Sequence, residues 1–147
     1  MDSEKYCDGP CPIGRGLARV GDAWSMMVLR DAGLGLTRFD QFQKSLGIAP
    51  NILTRRLTAL SANGLLEKRR YSERPPRDEY VLTQAGRDFL PVLYAFGAWG
   101  GGTFGGGPVS RLVDATTGRE VEPVVVDRAT GQPVAEMDLR VEVPSGD

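Results

Sequence analysis

The sequence predicts an α+β fold that is mainly helical: five helices, one two-stranded hairpin between the fourth and fifth, and a small C-terminal β extension. Three observations lead there. Apolar residues recur at helical spacing in five segments before Trp99. Two strand-like runs, Leu66–Tyr71 and Glu79–Leu82, flank Arg74-Pro75-Pro76-Arg77. After the glycine-rich run Gly100–Gly107 the chain changes to Val-rich runs separated by turn signals. These define three expected regions: residues 1–99 as the main domain, 100–107 as a flexible linker and 108–147 as a β-rich extension.

The first helix is expected over Cys11–Val20, with Pro12 in the first turn, where a missing N–H costs nothing. Ile13, Leu17 and Val20 share its apolar face. Gly21-Asp22 interrupts, and Trp24–Leu34 continues as a second helix with Trp24, Met27, Val28 and Leu34 inward. Thr37 reads as the N-cap of a third helix through Ser45, carrying Phe39, Phe42 and Leu46. Trp24 and Phe39 are read as core.

Gly47 ends the third helix and Pro50 starts the fourth. Leu53, Leu57 and Leu60 form a narrow apolar stripe that must pack inward, leaving Asn51, Thr54, Arg55 and Thr58 together on the outer side. Asn63-Gly64 closes this helix. Prolines at the hairpin tip are expected to block ladder pairing there. Thr83 then caps a fifth helix, Gln84–Trp99, whose apolar face of Phe89, Leu93, Phe96 and Trp99 is wide for the end of a small domain.

Composition narrows the function classes. Two cysteines and no histidine leave too few ligands for a structural zinc site, and the commonest general base is absent. Neither an enzyme nor a resident metal or cofactor is expected. The apolar stretch around Trp24–Leu29 is too short to cross a bilayer, and MDSEKYCDGP has neither the basic start nor the apolar segment of a signal peptide, so the cytoplasm is the expected location.

A net charge of −1 hides an asymmetry. Residues 38–77 hold nine basic and three acidic side chains, whereas 108–147 hold four basic and eight acidic ones. The positives concentrate on one helix and one hairpin, which fits a polyanion on that face.

The extension contains a short repeat, Val-Asp-Ala-Thr-Thr-Gly at 113–118 and Val-Asp-Arg-Ala-Thr-Gly at 126–131. Both read as Asp-initiated turns ending in Gly. They are similar to the knuckles of a zinc ribbon with Asp-x-x-Thr-Gly in place of Cys-x-x-Cys-Gly, and coincidental tight turns explain them as well. Without thiols or imidazoles they are not expected to hold zinc.

Several motifs in order, Cys11-Pro12-Ile13, Gly21-Asp22-Ala23-Trp24, Arg38-Phe39-Asp40-Gln41-Phe42, Leu53-Thr54-Arg55-Arg56-Leu57, Gly64-Leu65-Leu66 and Pro75-Pro76-Arg77-Asp78-Glu79-Tyr80-Val81-Leu82-Thr83, together resemble the HxlR-type family of bacterial winged helix-turn-helix regulators. Each is weak alone; in series over residues 7–99 they are specific. The resemblance implies a dimeric, DNA-binding transcription factor of the MarR-like winged-helix superfamily. The usual Ser or similar N-cap of the recognition helix is replaced by Ala49, a loss of about 1 kcal/mol.

The residues themselves agree with that implication. A recognition helix in the major groove needs short polar or Arg side chains at base edges, which Asn51, Thr54, Arg55 and Thr58 supply; Arg56 sits on the flank, with pairing to an acidic neighbour as the alternative to a DNA contact. Lys68, Arg70, Arg74 and Arg77 on the wing are expected at phosphates or the minor groove, and Arg38 either at a phosphate or as a plain surface residue. Alternation along Lys68–Tyr71 turns only some of these toward DNA. Phe89, Leu93, Phe96 and Trp99, with the first helix, form the expected homodimer seam, which would present two recognition helices to a pseudo-palindromic operator in double-stranded DNA. Cys11 at a helix start is a candidate redox switch with Cys7 as resolving thiol; the alternative is a small buried residue near the dimer interface. The competing class is a winged-helix protein-interaction module in which the basic helix engages an acidic protein partner.

Overall fold

The structure is a computed structural model that describes residues 3–145; the outermost two residues of the expected first and last regions lie outside it. A 3-10 turn (Ser3–Tyr6) precedes α1 (Pro12–Val20), α2 (Ala23–Gly33), α3 (Phe39–Leu46), α4 (Pro50–Ala62), the antiparallel strands β1 (Leu66–Glu73) and β2 (Pro76–Leu82), and α5 (Gln84–Thr103). The chain folds as two units, Met1–Leu90 and Pro91–Asp147.

Each helix start in the first unit has a local cause. The Gly14 N–H donates to Cys11 Sγ at 3.4 Å, so the thiol itself caps α1. Asp22 caps α2 by accepting from the Ser25 N–H at 2.9 Å. At α3 the cap is Arg38 rather than Thr37. Gln41 Oε1 reaches back to accept from the N–H groups of both Arg38 and Thr37, each at 3.0 Å, and thereby moves the boundary by one residue. Ala49 provides no side-chain cap for α4, where Pro50 occupies the first turn.

The core of this unit is one cluster from α2, α3, α4 and the start of β1: Val28, Leu29, Phe42, Ile48, Leu53, Leu57, Leu60, Leu65 and Leu66. Phe39 packs on it half-buried, as expected. Trp24 does not. It is exposed, like Met27 and Leu34; of the four residues expected on the inner face Val28 alone is buried, and Leu29 joins it there. Ser25 and Asp31 share that buried side, with Asp31 paired to Arg30 at 2.7 Å.

The hairpin is longer than its sequence suggests. Pairing runs from Leu66 opposite Leu82 to Glu73 opposite Pro76, so Pro76 stands within the ladder and only Arg74 and Pro75 form the tip. A bulge at Tyr71 separates the pairs Arg70–Asp78 and Ser72–Arg77. The Tyr80 N–H donates to Thr37 O at 2.7 Å, fixing β2 against the entry to α3. Thr83 caps α5 by accepting from the Gly86 N–H at 3.1 Å. A Cβ on Gly86 would clash with Leu65 O, so only glycine permits this approach of α5 to the residue preceding β1.

The second unit departs from two expectations. Helix α5 continues past Trp99 through Gly100, Gly101 and Gly102, so the expected linker begins inside a helix. An aromatic cluster straddles the glycines: Phe96 to Trp99 at 5.6 Å and Trp99 to Phe104 at 5.2 Å between ring centroids. The extension, expected to be β-rich, holds two isolated bridges and one 3-10 turn (Val134–Glu136) among the described residues, and no regular strand. Its Val runs lack a neighbouring strand to pair with.

The repeat does form two equivalent turns. Val113 bridges Glu120, and Val126 bridges Pro133. Asp114 accepts from the N–H groups of Thr116 and Thr117 at 2.7 and 3.0 Å; Asp127 accepts from the Thr130 N–H and hydroxyl at 3.0 and 2.7 Å. Gly118 and Gly131 both take φ +71°, the left-handed conformation that closes each turn. These hydrogen bonds hold both carboxyls below the usual aspartate range.

Candidate nucleic-acid interface

Helix α4 is two-sided. Leu53, Leu57 and Leu60 are 0–1% exposed, which fixes its rotation, and Asn51, Thr54, Arg55 and Thr58 consequently face solvent. The side chains of Asn51, Arg55 and Thr58 make no hydrogen bond or ion pair among the described residues. Thr54 differs: its hydroxyl donates to Pro50 O at 2.9 Å.

Arg56 is not on that surface. Its Nη2 lies 2.7 Å from Asp22 Oδ2, both side chains being about one-third exposed. The same Asp22 carboxylate caps α2, so Arg56 joins α4 to the start of α2. Arg56 Nε is buried without a partner among the described atoms, which makes this arginine a structural tie instead of a mobile cation.

On the wing, strand register decides which charges are available. Lys68 and Arg70 both turn to Asp78, at 3.7 and 3.2 Å, and Arg70 also meets Glu73 at 3.6 Å. Arg69 pairs with Glu67 at 3.1 Å on the opposite face, and that hydrogen bond raises its pKa. Arg74 and Arg77 are exposed and have no partner among the described residues. The expected basic wing is therefore a basic tip on a largely neutralised stalk. Arg38 lies with its guanidinium 4.4 Å from the centroid of the Tyr71 ring, on the bulged residue of β1, and so connects the start of α3 to the wing.

Cys11 is exposed at the N-terminus of α1 and Cys7 is half-buried. Of the expected dimer residues, Phe96 and Trp99 are exposed by more than half and Leu93 is half-buried, whereas Phe89 packs against the core of its own unit.

Buried leucines, an outward polar face and a two-stranded wing after the helix are the parts of a winged helix-turn-helix, and residues 19–105 match the family described as HxlR-like helix-turn-helix. The chain belongs to that family. It is accordingly a transcriptional regulator of the helix-turn-helix type. This HxlR-like chain is 33% identical over 136 residues to the uncharacterized HTH-type transcriptional regulator Rv3095 of Mycobacterium tuberculosis, covering 91% of this chain and 86% of that one. Among solved structures it is similar to PA1607, a candidate transcription factor, at 40% identity and TM-score 0.85, covering 94% of this chain and 98% of the other. The redox regulator HypR in its reduced form is 28% identical with TM-score 0.61, covering 65% of this chain and 95% of its own. The extension thus has counterparts in some relatives and not in others. Among the described residues, no helix is long and apolar enough to cross a membrane.

Proposed function

We propose that this regulator works in the cytoplasm as a homodimer on double-stranded DNA, with α4 in the major groove and the wing tip on the backbone or in the adjacent minor groove. One observation carries the reading. Asn51, Arg55 and Thr58 stand on a single solvent face of a helix held in place by fully buried leucines, and none has a partner among the described residues. Asn suits the N6/N7 edge of adenine and Arg the O6/N7 edge of guanine; the methyl of the exposed Thr54 suits a thymine methyl. Arg74 and Arg77 supply the phosphate or minor-groove contacts, and Arg38, aligned by Tyr71, supplies another. Lys68 and Arg70 contribute less because Asp78 already pairs with them. Arg56 positions α4 through Asp22.

Two copies paired through the exposed Phe96 and Trp99 of α5 would bring two recognition helices to a pseudo-palindromic operator with half-sites about one helical turn apart. A module that binds an acidic protein is the weaker reading, because unpaired Asn and Thr beside one Arg form a mixed base-reading set rather than a cationic patch. Mobility-shift titration of the promoter next to this protein's own gene, with unrelated DNA as competitor, tests the choice. Sequence-selective retention is expected, and equal competition by unrelated DNA would contradict it.

Cys11 gives this reading a switch. Its thiol is exposed and accepts the Gly14 N–H at the start of α1. HypR, a relative by structure, is described as a redox regulator. Peroxide is expected to change DNA affinity in the wild type and leave Cys11→Ser unaffected; identical responses would remove the switch.

A further inference from the structure

All ten buried apolar side chains of the described residues lie between Ala18 and Leu66. The second unit, Pro91–Asp147, contributes none, yet it holds thirteen of the nineteen large apolar side chains that are exposed. A segment of this length with no core of its own is stable only if its apolar surface is covered.

Two features of this unit complement each other. One is an open groove of about 650 Å³ with Val92 and Tyr94 of α5 on one wall and Leu112, Val121, Val124 and Val126 on the other. The second is the arm of residues 138–144. Leu139, Val141 and Val143 alternate along it and are 60, 89 and 74% exposed, while Arg140 and Glu142 pair at 2.6 Å between them. This is the pattern of a half-buried strand, with one apolar and one polar face. The arm nevertheless makes no backbone hydrogen bond among the described residues, so both its apolar face and its ladder groups are unmet.

We infer that the arm exchanges between two copies of this chain, seating Leu139, Val141 and Val143 in the second copy's groove. The inference rests on the homodimer proposed above and assigns the extension its role there. The groove's α5 wall is continuous with the exposed Phe96 and Trp99 of the same helix, so an arm entering it extends that seam. Reciprocal exchange covers two arms and two grooves at once, as a two-fold interface requires. A nucleic acid is excluded as occupant by chemistry: the groove is aliphatic and residues 108–147 carry four basic against eight acidic side chains.

The test uses full-length protein carrying Val141→p-benzoylphenylalanine, prepared ¹⁵N-labelled and unlabelled, mixed and irradiated. Crosslinked peptides joining a labelled to an unlabelled chain within residues 91–95 or 121–126 are expected. Crosslinks confined to one chain, or falling elsewhere, overturn the exchange. Sedimentation of the same mixture separates the two ideas: a dimer without interchain links sinks the exchange alone, whereas a monomer sinks the dimer as well.

Discussion

The Arg56 guanidinium lies 2.7 Å from Asp22 Oδ2, while Asp22 Oδ1 accepts the Ser25 N–H at 2.9 Å. One carboxylate therefore caps α2 and anchors α4. Asp22→Ala removes both contacts and leaves the buried Arg56 Nε beside an unpaired cation. With the pair one-third exposed, solvent screens the ionic part, and the expected cost is about 1–2 kcal/mol, mostly from the cap. Asp22→Asn retains a capping oxygen and is expected to lose less than half of that. Urea unfolding midpoints decide it; equal losses would show that the cap contributes nothing.

The wing charges are distinguishable by salt. Arg74→Ala and Arg77→Ala should each lower the slope of log affinity against log salt by about 1, since each removes one unpaired cation from the DNA. Lys68→Ala and Arg70→Ala should change it less, because Asp78 already holds both cations and leaves them less free to meet a phosphate. Four equal slopes would mean that the intramolecular pairs open on binding.

Much of this is legible in the amino-acid order alone. The spacing of Leu53, Leu57 and Leu60 sets the rotation of α4 and with it the outward position of Asn51, Arg55 and Thr58. The rest depends on groups brought together across elements. Arg56 meets a carboxylate from another helix, and Lys68 meets Asp78 only through strand register. A charge count ending at Arg77 stops one residue short of the carboxylate that neutralises two of its members. Trp24 shares its expected face with Val28, but the buried side of α2 is centred on Val28 and Leu29 and leaves Trp24 exposed. Glycine runs signal flexibility by propensity, and the Phe96, Trp99 and Phe104 rings override that at Gly100–Gly102.

Acid should loosen the two turns of the extension. Asp114 and Asp127 are held below the ordinary aspartate range, chiefly by the amides of Thr117 and Thr116 and by the hydroxyl and amide of Thr130. A depressed pKa means that this stabilisation is complete above the unfolded-state value and disappears as pH falls through the folded-state value. The amide resonances of Thr116, Thr117 and Thr130 should therefore move on acidification only below the pH at which an ordinary aspartate titrates. Movement at or above that pH would contradict the turn assignment.

If the outer face of α4 reads bases, Arg55 is the side chain whose loss shows it. Sites selected from random DNA by the wild type would be remeasured with Arg55→Ala across every single-base substitution. A loss of about 1–3 kcal/mol confined to one base-pair position in each half-site, with specificity relaxed there, is the expected result. A uniform loss over all sequences would make Arg55 a phosphate contact, and no loss at all would remove α4 from the DNA.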